Sequence, residues 1–245
     1  MQMVQAHRGA SAYAPENTLP AFRLAKEMHS DGIECDIHLT SDGVLVVCHD
    51  DDIARTSNGC GSIAAMTLPE LKRYDFGCKF SPDFTGTCIP TLDELLELVY
   101  DMAIINIECK GPLPAGRHMD EALEKLYDTL VRFGCVERTL MSTFLWDWAK
   151  RSKELHPDLR TALLYGNRLS PEETLDSARR HMADAMHPNL EHLDKEAVDA
   201  CLSSGIDVNA WTIDSPEQIE RAITLGITGL ITDVPDCALA AIGRS

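Results

Sequence analysis

The sequence is short of basic residues, with 22 Lys and Arg against 39 Asp and Glu in 245 residues and a net charge of −17. Because nucleic-acid affinity depends mainly on Lys and Arg that displace counterions from phosphates, a nucleic-acid partner is not expected. Long hydrophobic runs are also missing. The longest, such as Val44–Cys48 and Ala103–Ile107, extend over about five residues, whereas a membrane-spanning helix needs about 20. Neither a membrane span nor a signal peptide is expected.

Closely spaced cysteine pairs are absent. The nine cysteines are never fewer than ten residues apart, whereas structural zinc sites usually contain a pair two to four residues apart. Most of the cysteines have apolar neighbours, which is typical of small buried residues in a reducing compartment. The sequence therefore predicts a cytoplasmic protein.

Short β-rich apolar runs alternate with amphipathic helical stretches along the whole chain. The predicted strands are Met3–His7, Gly32–Leu39, Ala103–Cys109, Thr139–Thr143, Arg160–Tyr165, Ala183–His187, Asp207–Thr212 and Gly229–Thr232. Eight β-then-α units in about 250 residues are typical of an α/β protein of the (β/α)8 TIM-barrel class. An open, doubly wound sheet is the alternative, although eight consecutive units would overfill it. We predict a single domain over residues 1–245.

The interval between the second and third predicted strands is unusually long. It begins with Thr40-Ser41-Asp42-Gly43, a strong hairpin signal. With Asp42-Gly43 as the turn pair, the register places Asp36 opposite His49. We predict that residues 43–90 form a small insertion that covers one mouth of the barrel, since long excursions of this kind are more often functional than idle.

Acidic side chains share one face of two predicted strands. In the second strand the two-residue period places Glu34 and Asp36 together, opposite the apolar face that must contact the helices. The same alternation in the third strand directs Glu108 into the barrel. Three oxygen ligands from neighbouring strands suit one divalent cation, Mg²⁺ or Ca²⁺. The alternative is a buried ion-pair network with Arg8 and Lys110 and no metal, which is costly to desolvate.

Two histidines are expected at the same end of the barrel. His7 ends the first strand and His49 returns through the hairpin, and an imidazole with a pKa near 6.5 can donate or accept a proton at neutral pH. Arg8 and Lys110 would hold an anion. Together with the carboxylates, these residues predict a metal-assisted reaction at a phosphate or carboxylate ester.

The residues described above resemble those of a known family, the glycerophosphodiester phosphodiesterases. The resemblance extends in order from Ala6 to Pro235. It rests on the strings His7-Arg8-Gly9, Pro15-Glu16-Asn17-Thr18, Glu34-Cys35-Asp36, Thr40-Ser41-Asp42-Gly43, His49-Asp50, Ile107-Glu108-Cys109-Lys110, Trp211-Thr212 and Thr232-Asp233-Val234-Pro235.

The resemblance implies a TIM barrel with an insertion after its second strand. It also implies cation-dependent hydrolysis of a glycerophosphodiester, such as glycerophosphocholine or glycerophosphoethanolamine, to glycerol 3-phosphate and an alcohol. By the same resemblance, His7 and His49 match the family's acid-base pair. Carried over in the same way, the metal ligands are Glu34, Asp36 and Glu108, the phosphate-contacting residues are Arg8 and Lys110, and a site-lining residue is Glu16.

Several alternatives stay open at the level of the sequence. Trp211 either stacks on the substrate or fills the barrel mouth. The rival functions are metal-dependent carbon–carbon chemistry, a non-catalytic phosphodiester-binding module, and a related phosphodiesterase acting on lysophospholipids or other diesters. The last of these would require an exposed apolar surface near the mouth. The leaving alcohol, the choice of cation, the first nucleophile (water or a glycerol hydroxyl) and the oligomeric state are also open.

Overall fold

The computed structural model describes residues 2–114 and 116–244, so the predicted domain 1–245 includes three positions, Met1, Ala115 and Ser245, that lie outside the described residues. Within the described part the chain contains one mixed sheet. Its strands are β1 (Met3–His7), β2 (Gly32–Leu39), β3 (Leu45–Val47), β4 (Ile104–Cys109), β5 (Thr139–Thr143), β6 (Arg160–Tyr165), β7 (Ala185–Pro188), β8 (Asp207–Ala210) and β9 (Gly229–Thr232).

Eight of these strands close into a parallel barrel. The order runs from β1 through β9, β8, β7, β6, β5 and β4 to β2, and β1 pairs with β2 to close the ring. The predicted TIM barrel is confirmed. The strand boundaries differ slightly from prediction in three strands. β4 starts one residue later, β7 starts two residues later and ends one residue later, and β8 ends at Ala210 and not at Thr212.

Helices follow the strands and cover the outside of the barrel. They are α1 (Leu19–Glu27), α2 (Leu68–Leu71), α3 (Leu92–Val99), α4 (Met119–Phe133), α5 (Trp146–Leu155), α6 (Pro171–His181), α7 (Lys195–Ser203), α8 (Pro216–Leu225) and α9 (Pro235–Ala241). Local sequence explains their ends. Capping boxes start α3, α6 and α8, and left-handed glycines, Gly134 and Gly226, end α4 and α8. Among the described residues, no helix has both the length and the hydrophobicity needed to cross a membrane.

The predicted hairpin register is wrong by one residue. Leu39 pairs with Leu45 and Ile37 with Val47, so Asp36 lies opposite Cys48, whose N–H donates to the Asp36 carbonyl at 2.9 Å. The reason is a three-residue turn in which Gly43 takes a left-handed conformation with φ of +78°, where a two-residue turn was assumed. His49 therefore lies beyond the end of β3.

The segment between β3 and α3 has its own apolar core. Its buried side chains are Cys48, Ile53, Ile63, Leu71, Phe76 and Ile89, which cluster with Val46 of β3. The backbone contacts the barrel wall where the N–H of Val47 donates to the Pro90 carbonyl at 2.8 Å. This small core holds the loop after β3 beside the mouth at the carboxyl ends of the barrel strands.

The larger apolar clusters lie between the barrel and its helices, whereas the barrel interior is partly polar. Asn106 Nδ2 donates to Gln5 Oε1 at 3.2 Å, and Ser142 Oγ donates to Asn106 Oδ1 at 2.9 Å. Asn209 Nδ2 donates to His187 Nε2 at 2.9 Å. Buried polar groups usually keep hydrogen-bond partners. This layer follows that rule only in part, because Gln5 Nε2 and His187 Nδ1 have no partner among the described residues.

Candidate active site

A cavity of about 150 Å³ opens at the carboxyl ends of the barrel strands, where TIM-barrel enzymes keep their chemistry. Its wall contains both predicted histidines, two of the three predicted carboxylates, one arginine and an apolar side. The lining residues are His7, Arg8, Glu34, His49, Asn106, Glu108, Ser142, Phe144, Leu164, Trp211 and Ile231.

Three buried carboxylates meet at the floor of this cavity. Glu34, Asp36 and Glu108 each offer an oxygen, and these oxygens lie within 4.8 Å of one another. The strand register explains the convergence, because Asp36 and Glu108 are direct partners on the parallel strands β2 and β4. Their residues are 5%, 1% and 6% exposed, so little water screens the mutual repulsion.

Electrostatics at the carboxylate trio favour a bound cation. Burial and the charge of Asp36 raise the pKa of Glu34 and the pKa of Glu108. Burial would also raise the pKa of Asp36, but Lys110 and Arg8 outweigh it and lower that pKa. Two of the three groups thus resist ionisation beside the third, which is the behaviour expected of like charges forced together.

The donor set fits a hard divalent ion. Carboxylate oxygens are the ligands that Mg²⁺ and Ca²⁺ prefer, and the three groups come from rigid strands and not from loops. Lys110 Nζ lies 3.0 Å from Asp36 Oδ1 and 2.5 Å from Glu108 Oε1. Arg8 Nε also lies 3.5 Å from Asp36 Oδ2. These ion pairs are the arrangement that the metal-free alternative required, but two cations leave one of the three carboxylates without a compensating charge when all three are ionised.

His7 is the last residue of β1, and its side chain is oriented by residues that lie in loops and not on the barrel strands. Its Nδ1 lies 2.6 Å from Asp233 Oδ1, which also accepts from Ser11 Oγ at 2.9 Å. Its Nε2 faces the trio, 4.0 Å from Glu34 Oε2. Burial lowers the pKa of His7, but the hydrogen bond to Asp233 and the charge of Glu34 outweigh burial and raise it. The direction of this shift favours the protonated form of His7 relative to a free imidazole.

His49 is held in the same way by its neighbour. Its Nδ1 lies 2.7 Å from Asp50 Oδ1, which leaves Nε2 free for the cavity. Burial is the largest cause of a lowered pKa at His49, and the charges of Lys110 and Arg8 add to it. The two imidazoles thus have pKa values displaced in opposite directions.

Arg8 turns sharply away from the end of β1. It has a left-handed φ of +56°, and its backbone N–H donates to Glu34 Oε2 at 3.0 Å. Its Nη1 donates to Glu16 Oε1 at 3.0 Å, while Nε lies 3.5 Å from Asp36 Oδ2. The next residue, Gly9, has a φ of +83°, and a Cβ there would lie 2.6 Å from the Ala21 backbone, so this turn requires glycine.

The remaining predicted residues lie around this centre. Glu16 is behind Arg8 and lines an adjacent cavity of about 270 Å³. Lys110 lies on the other side and lines a groove of about 430 Å³. Trp211 lines the central cavity, donates from Nε1 to the His187 carbonyl at 2.8 Å, and packs edge to face on Phe144.

The structure adds several residues that the sequence analysis did not place in the site. Asn17 Nδ2 donates to Asp36 Oδ2 at 2.8 Å, while its neighbour Thr18 occupies the N-cap position of α1. Asp50 and Asp233 orient the two histidines. Both belong to the sequence strings on which the family resemblance rests, so the resemblance was the means by which they could have been identified. Phe144 follows β5 and lies outside those strings, and no sequence pattern indicated that it lines the cavity.

Comparison with known proteins places these observations in context. The model of the glycerophosphoryl diester phosphodiesterase family matches residues 7–237. A glycerophosphodiester phosphodiesterase of Caldanaerobacter subterraneus subsp. tengcongensis is 39% identical over 243 residues, covering 99% of this chain and 98% of that protein. One from Bacillus altitudinis is 34% identical over 244 residues, covering 98% and 97%.

Among solved structures, a phosphodiesterase from Oleispira antarctica in complex with the product sn-glycerol-3-phosphate superimposes with a TM-score of 0.91. It is 27% identical, and the match covers 100% of this chain and 98% of that one. A glycerophosphodiester phosphodiesterase from Thermotoga maritima matches with a TM-score of 0.78 at 28% identity, covering 97% and 96%.

Proposed function

The chain belongs to the glycerophosphoryl diester phosphodiesterase family and is a phosphoric diester hydrolase, and from this premise we propose that it converts glycerophosphodiesters such as glycerophosphocholine or glycerophosphoethanolamine to glycerol 3-phosphate and an alcohol. One observation carries the proposal. Three buried carboxylates lie beside two histidines with opposite pKa shifts, and the two histidines share one cavity.

The proposed cofactor is one divalent cation, Mg²⁺ or Ca²⁺, held by Glu34, Asp36 and Glu108. When bound, it would supply positive charge that offsets the charge of the phosphate. The chain itself contributes Arg8, which has guanidinium donors left after its bond to Glu16 and faces the same cavity. Guanidinium geometry matches two phosphate oxygens at once. Lys110 adds a second positive group beside the carboxylates.

The two histidines divide the proton transfers in this proposal. His49, neutral because burial lowers its pKa, accepts the proton of the attacking hydroxyl, which belongs to water or to the glycerol itself. His7, kept protonated by Asp233, gives a proton to the leaving alkoxide. Asp50 and Asp233 fix the Nδ1 atoms and so direct both Nε2 atoms inward.

The activity is expected to show a bell-shaped dependence on pH. His49 must be neutral and its pKa lies below 6.5, so the acid limb falls below pH 6.5. His7 must be protonated and its pKa lies above 6.5, so the alkaline limb falls above that value. Measuring kcat/KM from pH 5 to 9 tests this, and a profile with both limbs on one side of 6.5 would reject the assignment.

A panel of diesters tests the proposed reaction directly. The purified protein, assayed with glycerophosphocholine and glycerophosphoethanolamine in millimolar Mg²⁺ or Ca²⁺, is expected to release glycerol 3-phosphate. Chelation should abolish this release, because the trio then loses its counter-charge. Readdition of each cation in turn identifies the preferred one. No release from any glycerophosphodiester with either cation would reject the proposal, and full activity in chelator would reject the metal.

A second candidate substrate class is favoured by one feature of the cavity. Phe144 and Leu145, which follow β5, are 47% and 43% exposed at the rim, and both line the groove beside Lys110. This apolar rim comes from the loop after β5 and not from the insertion. It could support an acyl chain, so lysophosphatidylcholine belongs in the same panel as the test of lysophospholipid hydrolysis.

The proposed location is the cytoplasm. All nine cysteines are free thiols in the structure, and three of them, Cys60, Cys88 and Cys237, are exposed. Exposed free thiols persist in reducing compartments. Fractionation of the source cells, followed by assay of each fraction, tests the location.

A further inference from the structure

The insertion places one arginine between two carboxylates of the site. Arg55 Nη1 donates to Glu16 Oε2 at 2.7 Å and Nη2 donates to Glu16 Oε1 at 2.7 Å. On its other edge, Nε donates to Asp50 Oδ2 at 2.6 Å and Nη2 to Asp50 Oδ1 at 3.3 Å. A guanidinium is rigid and planar, so these bonds fix the two carboxylates relative to each other.

Each of those carboxylates holds one residue of the cavity. Glu16 Oε1 also accepts from Arg8 Nη1 at 3.0 Å, and Asp50 Oδ1 also binds His49 Nδ1 at 2.7 Å. The chain of contacts therefore runs from Arg8 through Glu16, Arg55 and Asp50 to His49. It joins the turn after β1, which carries Arg8, to the loop after β3, which carries His49.

Resting on the function proposed above, we propose that Arg55 is a positioning residue that holds the phosphate-binding Arg8 and the imidazole of His49 at a fixed separation through Glu16 and Asp50. Arg55 does not itself bind the substrate phosphate. Its guanidinium makes four hydrogen bonds to carboxylates, and two negative groups already offset its single charge. Arg8 keeps donors for the phosphate, because among the described residues its guanidinium donates a hydrogen bond to a side chain only from Nη1, to Glu16.

The insertion supplies the rigidity that this role requires. Ile53, two residues before Arg55, is fully buried in the insertion core. The carbonyl of Ala54 accepts a hydrogen bond from Lys79, and the Ala54 N–H donates to Asp52 Oδ1 at 2.8 Å. In this proposal the insertion acts on the reaction by supporting the Arg55 side chain.

Stability is a poor measure of this role. The Arg55 side chain is 47% exposed and its partners Glu16 and Asp50 are 22% and 29% exposed, and ion pairs at such positions contribute little to folding. The expected consequence is kinetic. Displacing Arg8 weakens phosphate binding and raises KM, whereas displacing His49 slows proton transfer and lowers kcat.

The test compares Arg55→Ala with a matched control, Arg132→Ala. Arg132 makes a bidentate pair with Asp93 on the outside of the barrel and is 57% exposed, so its loss reports the general cost of removing a surface arginine. In the glycerophosphocholine assay with saturating cation, Arg55→Ala is expected to lose about 10- to 100-fold in kcat/KM, divided between a raised KM and a lowered kcat. Arg132→Ala should stay within about twofold of the parent.

Three further variants separate positioning from simple charge balance. Arg55→Lys keeps the charge but cannot span both carboxylates, so it should recover only part of the loss. In double-mutant cycles, adding Glu16→Gln or Asp50→Asn to Arg55→Ala should cost less than the product of the single effects. A merely structural role would reduce the active fraction, visible as lower apparent kcat at unchanged KM.

The outcomes discriminate between the two proposals. An active parent protein with Arg55→Ala at parental kcat/KM, full recovery in Arg55→Lys, or multiplicative effects in both cycles would overturn the Arg55 proposal alone. A parent protein inactive on every diester would overturn the proposed function, and the role of Arg55 with it.

Discussion

The His49→Ala variant is expected to hydrolyse glycerophosphocholine with a kcat about 10²- to 10⁴-fold below that of the parent protein. The imidazole is the group in the cavity whose lowered pKa leaves it free to accept a proton at neutral pH. The cation requirement should not change, because the proposed cation ligands are the three converging carboxylates and His49 is not among them. Steady-state kinetics over a range of cation concentrations measure both quantities in one experiment.

His192→Ala is the matched control for this loss. His192 is an exposed histidine in the short helix after β7, so its removal tests whether any histidine substitution impairs the protein. It should leave kcat unchanged. Near-full activity of His49→Ala between pH 6 and 9 would show that the acid-base assignment is wrong.

A change of leaving group distinguishes the base from the acid. With a p-nitrophenyl diester the leaving group departs without protonation, so a variant that lacks the general acid should recover much of its activity. The loss of kcat in His7→Ala should therefore be much smaller on this substrate than on glycerophosphocholine, whereas the loss in His49→Ala should be similar on both. The opposite pattern would exchange the two roles, placing the base beside Asp233 and the acid beside Asp50.

The barrel and most of its centre could be predicted because both depend on local periodicity. The two-residue period of a strand puts Glu34 and Asp36 on one face of β2, and parallel neighbours then bring Glu108 alongside. The eight apolar runs predict the strands themselves, since each buried parallel strand needs such a run. When a functional group lies on a strand, the pairing of that strand with its neighbours predicts which side chains lie beside the group.

Residues delivered by loops could not be placed in this way. Arg55 reaches Glu16 across 39 positions of sequence, and no pattern in its own segment indicates that contact. Asp233 reaches His7 from the far end of the chain. The hairpin register failed for a related reason, because one left-handed glycine lengthens the turn by a residue and moves every later pair. Loop geometry depends on tertiary contacts that period and propensity do not encode.

The Glu108→Gln variant is expected to raise the cation concentration needed for half-maximal activity on the order of 100-fold, since cation affinity depends steeply on the number of charged ligands. Gln keeps the size of the side chain and one oxygen but removes one of three negative charges. Glu121→Gln, which changes a surface carboxylate paired with Arg117 on α4, is the control and should not alter the requirement. The measurement is activity against free Mg²⁺ or Ca²⁺ at fixed pH.

Glu108→Gln should also change thermal stability, and in the cation-free protein the expected change is a higher Tm. Because burial and Asp36 raise the pKa of Glu108 above its ordinary 4.5, the folded state keeps that proton where the unfolded state has lost it. The contribution of Glu108 to unfolding free energy therefore falls as pH rises from 4.5 through the folded pKa. Removing the carboxyl group removes this cost, so in chelator near pH 7 Glu108→Gln should have a higher Tm than the parent. In saturating cation the order should reverse, because the parent gains more from binding. A parent protein whose Tm does not respond to either cation, with Glu108→Gln equally active at low cation, would show that the trio holds no metal and that Arg8 and Lys110 balance it.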